Sequence, residues 1–71
     1  MVKNRLLDIR LQFGYKKQKD FAKFLEVSPV NYNRWENNLT QPSVEMVLKI
    51  AELLGLKVED IIYLEKWYFF I

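Results

Sequence analysis

Two polar side chains whose hydrogen-bonding groups can recognise nucleic-acid bases are adjacent in the sequence, at Asn33 and Arg34, and the polar Asn37 follows about one helical turn later. The guanidinium of Arg34 can donate two parallel hydrogen bonds to O6 and N7 of a guanine, and the amide of Asn33 can pair with an adenine. The aromatic Tyr32 and Trp35 are interleaved with them at the spacing of one helical face. A helix over these residues would bury the aromatic pair and present the polar side chains on its opposite side.

Signals for a helix start lie just before this segment. Ser28 is a good N-cap residue, and Pro29 follows at the first helical position, where its missing N–H costs nothing. The helix is predicted to run to about Asn37. Another helix is predicted over residues 18–25, and residues 26–27 form a tight corner between the two. Two helices this short need a scaffold. The pair predicts a helix-turn-helix, which usually lays its second helix in a DNA major groove.

The apolar residues of this motif follow a fixed spacing. Counted from Gln18 as the first position, the fourth, eighth, tenth, fifteenth and eighteenth positions are Phe21, Leu25, Val27, Tyr32 and Trp35. The fifth is Ala22, whose small side chain lets the helices approach. This pattern resembles the phage-repressor type of helix-turn-helix domain, the Cro/cI-like or Xre family, and the resemblance covers roughly residues 4–62. It implies a compact helical domain that binds double-stranded DNA.

Two positions depart from the family pattern. The family usually places Gly at the corner, because the backbone there is left-handed, and this chain has Glu26. A non-glycine residue in that conformation costs about 1 kcal/mol. Asn38 also replaces a frequent Gly, but Asn tolerates positive φ better than other residues. We therefore expect a slightly strained corner in an otherwise typical motif.

The resemblance also implies contacts with the DNA backbone. Gln18 opens the first helix of the motif, where free N–H groups and the positive end of the helix dipole can hold a phosphate. Pro29 and Val30 stand where many family members carry polar base-reading residues, so here they can offer only apolar contact, for example to thymine methyl groups. The alternative is that the polar residues only solvate a helical surface. The predicted DNA-binding set is Lys17, Gln18, Lys19, Pro29, Val30, Asn33, Arg34, Asn37, Asn38 and Thr40.

A structural ion pair is implied between Arg10 and Glu36. In the family, an Arg of the first helix pairs with the Glu that follows the recognition helix, and these two residues occupy those places. The alternative is that Arg10 is a solvated cation on its own helix. A buried or half-buried pair would link the first helix to the end of the third.

Length and composition restrict the possible functions. Seventy-one residues form one domain near the lower limit for a self-sufficient hydrophobic core. The chain has no Cys and no His, so the commonest metal ligands and acid–base groups are missing. It has no signal pattern and no apolar run of roughly 20 residues. We therefore expect a soluble cytoplasmic protein without enzymatic activity, cofactor, metal, membrane contact or small-molecule substrate.

Charge is distributed unevenly along the chain, although the formal net charge is only +2. Cationic residues fall in or beside the motif, whereas acidic residues lie mostly downstream. One cationic face is the arrangement that phosphate attraction requires. The cationic residues in question are Lys16, Lys17, Lys19, Lys23 and Arg34.

Helix signals outside the motif predict an all-α domain of four to five helices. The first helix starts after Asn4 as its N-cap and ends at Phe13. Ser43 caps a fourth helix, which Gly55 ends, and a short fifth helix covers about residues 58–62. The inward stripe of the first helix is predicted as Leu6, Ile9 and Phe13, widened by Leu7 or Leu11. The stripe of the fourth helix is predicted as Val44, Val47, Leu48, Ala51 and Leu54.

Residues 63–71 differ in kind from the domain formed by residues 1–62. They are rich in aromatic side chains and end in five consecutive apolar residues, so their propensity favours a strand. A lone strand exposes unpaired backbone groups, which invites pairing with a second copy. Some compact family members dimerise through a C-terminal strand; the predicted dimerisation residues are Leu64, Trp67, Tyr68, Phe69, Phe70 and Ile71. The alternative is a tail that folds back as a core plug in a monomer.

The sequence therefore predicts a sequence-specific DNA-binding transcriptional regulator. We expect a repressor, because no activation or sensor domain is evident. We also expect a homodimer that reads a near-palindromic operator by placing residues 28–37 in the major groove. The alternative function is a protein-interaction module, such as an antitoxin or adaptor, that acts through the aromatic tail.

Overall fold

Five helices and a two-stranded sheet make up residues 1–65, the part of the chain that the computed structural model describes. The helices are α1 (Leu6–Gln12), α2 (Gln18–Leu25), α3 (Pro29–Glu36), α4 (Val44–Leu54) and α5 (Val58–Ile61). The strands are β1 (Val2–Asn4) and β2 (Ile62–Leu64). The predicted bundle of four to five helices is confirmed, and α2 and α3 form the predicted helix-turn-helix.

Local signals in the sequence set the starts of α3 and α4. The hydroxyl of Ser28 accepts a hydrogen bond from the N–H of Asn31 at 3.1 Å, and Pro29 occupies the start of α3. The hydroxyl of Ser43 likewise accepts from the N–H of Met46 at 3.1 Å. Each cap satisfies a donor that the first turn of a helix leaves without an intrahelical partner.

The corner between α2 and α3 is left-handed at Glu26, where φ is +61° and ψ is +42°. The N–H of Val27 donates to the carbonyl of Ala22 at 2.9 Å, which closes the end of α2. The corner thus has the conformation that the family pattern implies, although the Cβ of Glu26 is unfavourable in a left-handed backbone. Asn38 also has a positive φ, +58°, which an Asn side chain tolerates better.

One cluster of apolar side chains joins all five helices. Phe21 of α2 and Tyr32 of α3 are fully buried, and their rings meet edge to face with centroids 5.6 Å apart. The rings of Tyr32 and Trp35 also meet at 6.5 Å. These contacts hold the inner face of α3 against the rest of the domain. The buried apolar residues are Leu6, Ile9, Phe21, Ala22, Leu25, Tyr32, Trp35, Val47, Ile50, Ala51 and Ile61.

The first helix differs from its prediction at both ends. It begins at Leu6, and Asn4 lies in β1, although the side-chain oxygen of Asn4 still accepts from the N–H of Leu6 at 3.0 Å. Phe13 is exposed rather than buried, because it follows the last helical residue and no longer continues the inward stripe. Leu7 and Leu11 are exposed as well. The buried stripe of α1 is therefore narrower than predicted.

The inward face of α4 also differs in part from its prediction. Val44 and Leu48 are 76% and 54% exposed, whereas Ile50 is buried. The buried face follows Val47, Ile50 and Ala51 at helical spacing. Apolar residues occupy so much of this helix that spacing alone is compatible with two neighbouring stripes, and packing against the other helices selects one of them.

The two strands join the ends of the described chain in an antiparallel pair. The fifth helix ends at Ile61, so the predicted strand begins earlier than expected, at Ile62. This strand was predicted to stand alone, which is wrong for its first residues, because they pair with the N-terminal segment of the same chain. The predicted dimerisation residues 67–71 lie outside the described residues. The register pairs Val2 with Leu64, Lys3 with Tyr63 and Asn4 with Ile62.

A buried ion pair connects α1 to the end of α3. The Nε of Arg10 lies 2.9 Å from Oε2 of Glu36, and its Nη2 lies 3.1 Å from Oε1. The two side chains are only 8% and 6% exposed. The remaining nitrogen, Nη1, donates to the carbonyl oxygens of Tyr15 and Lys16. The same guanidinium therefore also holds the loop between α1 and α2.

Both members of the pair are stabilised in their charged forms. Burial on its own would raise the pKa of Glu36, but hydrogen bonds from Arg10 and Gln18, with the nearby Tyr32 hydroxyl, outweigh it. The pKa of Glu36 consequently lies below its ordinary value. The hydrogen bond to Glu36 raises the pKa of Arg10. The pair is therefore charged throughout the neutral pH range.

Replacing Glu26 with Gly should stabilise the protein, because Gly adopts the left-handed corner without a Cβ penalty. We expect the free energy of unfolding to rise by about 1 kcal/mol, which corresponds to an increase of about 4–8 °C in melting temperature. Glu52→Gly is the matched control, since it places Gly inside α4 and should lower stability by about 1 kcal/mol. Thermal unfolding followed by circular dichroism decides; a Glu26→Gly protein that melts no higher than wild type contradicts a strained corner.

Arg10→Met should destabilise the protein strongly, because it leaves the Glu36 carboxylate buried without its partner. Removing one member of a buried pair costs about 3–5 kcal/mol, whereas an exposed pair contributes about 0–1 kcal/mol. Arg34→Met, which alters an exposed Arg, should melt close to wild type. If Arg10→Met leaves the melting temperature at pH 7 unchanged, the pair does not stabilise the fold.

The loss of stability caused by Arg10→Met should also depend on pH. Because the pKa of Glu36 is lowered from an ordinary value of 4.5, its charge contributes fully above about pH 4.5. The contribution is lost as the pH falls through the lower pKa of the folded protein. The difference in melting temperature between wild type and Arg10→Met should therefore narrow in acid.

Candidate nucleic-acid interface

The outer face of α3 and its C-cap carry four of the predicted DNA-binding side chains. Val30 is 71% exposed, and Asn33, Arg34 and Asn37 are exposed as well. The two aromatic residues of α3 lie on the opposite face and are buried in the core, as predicted. The core therefore holds the helix from one side and leaves its polar side open to a partner.

A chain of hydrogen bonds runs from the ion pair to this outer face. The Nε2 of Gln18 donates to Oε1 of Glu36 at 2.9 Å, and the Oε1 of Gln18 accepts from Nδ2 of Asn33 at 2.8 Å. The Oδ1 of Asn33 accepts in turn from Nδ2 of Asn37 at 3.3 Å. An amide has two hydrogens and two lone pairs, so Asn33 keeps one donor and one acceptor for a base. This series of hydrogen bonds sets the direction in which the free donor and acceptor of Asn33 point.

Arg34 lies outside this chain. Its side chain is exposed, and within residues 1–65 its guanidinium makes neither a hydrogen bond nor an ion pair. It stands in the last turn of α3. Among the polar residues of the outer face it can therefore extend furthest towards a base edge, and the two parallel donors needed for a guanine are unoccupied by the described residues.

Exposed lysines lie around the start of α2. Lys17 is the N-cap residue of α2, but its side chain makes no capping hydrogen bond. A surface groove between α2 and the start of α3 carries two lysines and two acidic residues, so the predicted cationic face is interrupted there. The residues that line the groove are Lys19, Asp20, Lys23, Glu26, Val27 and Pro29.

A second polar cluster lies at the end of α3, and the sequence did not predict it. The Nδ2 of Asn4 donates to the backbone oxygen of Trp35 and to Oε1 of Gln41, both at 2.7 Å. The Oδ1 of Asn38 accepts from the backbone N–H of Asn4 at 3.1 Å and from Nε2 of Gln41 at 2.8 Å. We call Asn4, Asn38 and Gln41 the amide junction. The only sequence signal at this site was the helix-capping potential of Asn4.

The amide junction changes what Asn38 can offer to DNA. Its side-chain oxygen is occupied, so only its NH2 group remains for a phosphate oxygen. Thr40 is half-buried, and its backbone N–H donates to the carbonyl of Arg34 at 3.4 Å. Asn38 and Thr40, two members of the predicted DNA-binding set, therefore belong to a loop that is hydrogen-bonded to the end of α3.

The buried Tyr32 hydroxyl is a structural group. It donates to the carbonyl of Leu6 at 3.4 Å. Burial, reinforced by the nearby Glu36 carboxylate, raises the pKa of Tyr32 well above its ordinary value. The hydroxyl is therefore neutral at physiological pH and holds α3 against the start of α1.

Other kinds of site are not found in the described part of the chain. Residues 1–65 contain no group of three or more His, Cys, Asp or Glu side chains that could hold a metal ion. Of the five helices described, none is long and apolar enough to cross a membrane.

Comparisons with known proteins agree with this geometry. A crystal structure of a candidate DNA-binding protein from Bacteroides fragilis is similar to this one, with a TM-score of 0.68 and 30% sequence identity. The similarity covers 89% of this chain and 100% of that chain. Curated protein sequences give no match. The family model described as helix-turn-helix matches residues 6–61. Because this match spans most of the chain, including the whole motif, the chain belongs to the Xre/Cro-cI-like helix-turn-helix family.

Proposed function

We propose that this protein is a transcriptional repressor that binds double-stranded DNA in a sequence-specific manner. The main support comes from the outer face of α3, where the polar side chains are exposed together. The helix itself is held in place by the core and by the hydrogen bonds of Glu36, its last residue. A helix held in this way can enter a major groove and contact the base edges without changing its position in the domain. Membership of the helix-turn-helix family and the similar structure from Bacteroides fragilis support a DNA-binding regulator.

The predicted DNA-binding residues divide into base-reading and phosphate-binding groups. Arg34 is assigned to a guanine and Asn33 to an adenine, because these side chains match the base edges in the major groove. Val30 is assigned to apolar contact. Gln18 and Lys17, at the start of α2, are assigned to a phosphate, which the positive end of the helix attracts. Base contacts specify the sequence, and phosphate contacts position the protein.

The hydrogen bonds of the sheet determine which backbone N–H and C=O groups remain at its outer edges. The N–H of Glu65 donates to the carbonyl of Met1 at 2.9 Å. The N–H of Arg5 donates to the carbonyl of Ile61 at 2.8 Å. In an antiparallel pair, residues bonded in this way alternate with residues whose N–H and C=O groups point outward. The even-numbered residues of both strands therefore face the two outer edges.

Within residues 1–65 the β2 edge is the less covered of the two, although the outward N–H of Ile62 donates to the carbonyl of Val58. On β1, the side chain of Asn38 accepts from the N–H of Asn4. The side chain of Gln41 donates to the carbonyl of Val2 at 3.3 Å. On β2, no hydrogen bond within the described part of the chain reaches the outward N–H of Leu64. An exposed edge of this kind favours pairing with another strand.

We therefore propose a homodimer in which the β2 strands of two copies pair around a two-fold axis. Leu64 lies at this edge, and residues 67–71 are assigned to the same interface from their sequence. Such a dimer would present two α3 helices roughly 34–36 Å apart, which matches one turn of duplex DNA. Its operator would then be nearly palindromic.

A protein-interaction module is the second candidate function. The open β2 edge and the exposed apolar residues Leu7, Leu11, Val44 and Leu48 favour it. Salt dependence separates the two functions. A DNA binder that neutralises several phosphates loses affinity steeply as salt rises, whereas an apolar protein interface responds weakly. Absence of salt-dependent binding to any duplex, together with salt-insensitive binding to a protein partner, would favour the second candidate.

Arg34→Ala should relax sequence selectivity. Loss of a bidentate contact to guanine should cost about 1–3 kcal/mol on the preferred duplex and should remove the preference at one base position. Lys17→Ala is the matched control. It should weaken binding to the preferred and random duplexes alike, and it should reduce the slope of log affinity against log salt concentration by about one. Titration of both duplexes by fluorescence anisotropy measures this. If Arg34→Ala weakens both duplexes equally, Arg34 does not read a base.

Leu64→Pro should abolish the dimer and preserve the fold, because Pro removes only an N–H that points to the open edge. We expect wild type to sediment as a dimer at micromolar concentration and Leu64→Pro as a monomer with a nearly wild-type melting temperature. Tyr63→Pro is the matched control; it removes a donor inside the sheet and should lower the melting temperature.

Deletion of residues 67–71 should also give a monomer, with much weaker DNA binding. Analytical ultracentrifugation measures the mass of each protein. A monomeric wild type would contradict the homodimer, and a dimeric Leu64→Pro would contradict pairing through β2.

A further inference from the structure

Most of the side-chain N–H donors of the amide junction are hydrogen-bonded within the protein. Asn4 gives both hydrogens of Nδ2, one to the carbonyl of Trp35 and one to Gln41. Gln41 gives both hydrogens of Nε2, one to the carbonyl of Val2 and one to Oδ1 of Asn38. Among the side-chain donors of the junction, only the NH2 group of Asn38 has no partner within residues 1–65.

The junction connects three separate parts of the fold. Asn4 belongs to β1, and its side-chain oxygen accepts from the first N–H of α1. The carbonyl of Trp35 lies in the last turn of α3, and it accepts from the backbone N–H of Asn38 at 2.9 Å as well as from Asn4. Asn38 and Gln41 belong to the loop that follows α3. A displacement of the sheet therefore reaches the end of α3 through Asn4.

The side chain of Asn4 is buried and fully hydrogen-bonded. It is a polar residue with only 8% of its surface exposed, and every polar atom of its side chain has a partner. A buried amide that loses such partners leaves unsatisfied groups behind, which costs free energy. The end of α3 is therefore held in one position relative to the sheet for as long as the junction is complete.

We propose that Asn4 is a positioning residue for DNA binding, which holds the end of α3 in register with the base pairs and directs the NH2 group of Asn38 towards the DNA backbone. This inference rests on the proposed function. Arg34 stands in the last turn of α3, so a shift at this end moves the assigned base reader. The attraction of lysines to phosphates is less sensitive to such a shift, because it depends on charge and not on register.

The experiment compares the affinities of variants of the 71-residue chain for two duplexes. One duplex is selected from a random pool by the wild-type protein, and the other has random sequence. The variants are Asn4→Ala, Gln41→Ala, and Ile50→Val, which destabilises the core without removing a hydrogen bond of the junction. Circular dichroism at the binding temperature confirms that each variant is folded; if Asn4→Ala is not folded, Gln41→Ala decides.

We expect Asn4→Ala to lose about tenfold in affinity for the selected duplex and less than about twofold for the random one. Gln41→Ala should change in the same direction by a smaller factor. Ile50→Val should keep the wild-type ratio of the two affinities, because a smaller folded fraction weakens both duplexes equally. An unchanged ratio in the folded Asn4 and Gln41 variants overturns the inference. A wild-type protein that does not prefer the selected duplex overturns the proposed function itself, and the inference with it.

Discussion

The carboxylate of Glu36 is the group on which the arrangement of the three N-terminal helices depends. It ends α3, and its two oxygens accept from Arg10 of α1 and Gln18 of α2. A buried charge is tolerated only when it is paired and hydrogen-bonded, because desolvation otherwise costs several kcal/mol. The three helices must therefore meet at one geometry for the carboxylate to be satisfied. Apolar packing alone would permit small slides between them.

The end of α3 is held by polar groups on two sides. Glu36 binds it to α1 and α2, and the amide junction binds it to the terminal sheet and the following loop. The core side chains hold the inner face of the same helix. The outer face therefore needs little ordering when a partner binds, which favours affinity because less conformational entropy is lost. The chain from Glu36 through Gln18 to Asn33 extends this order to an exposed side chain.

The parts of the structure that could be predicted from sequence depend on local signals. Ser28 and Pro29 set the start of α3 through their own backbone preferences, and Tyr32 and Trp35 define its inner face by spacing. The family pattern implied a left-handed corner, and the backbone at Glu26 is left-handed. These features need no knowledge of distant residues.

The parts that could not be predicted depend on residues far apart in the chain. Asn4 bonds to the carbonyl of Trp35, 31 residues away, and a three-residue strand such as β1 has no recognisable pattern. The buried stripe of α4 was misplaced because its apolar residues allow two faces, and only packing chooses between Leu48 and Ile50. Resemblance to a family indicated where DNA would bind, but the hydrogen bonds that fix Asn33 and Asn38 became visible only in the structure.

Selection of bound duplexes from a random pool by the 71-residue chain tests whether α3 reads DNA sequence, because this experiment assumes no operator. We expect enrichment of a sequence in which two half-sites are related by two-fold symmetry, with their centres about 10–10.5 base pairs apart. Each half-site should contain a fixed guanine for Arg34. A selected pool that is indistinguishable from the starting pool would contradict the claim that α3 reads DNA sequence.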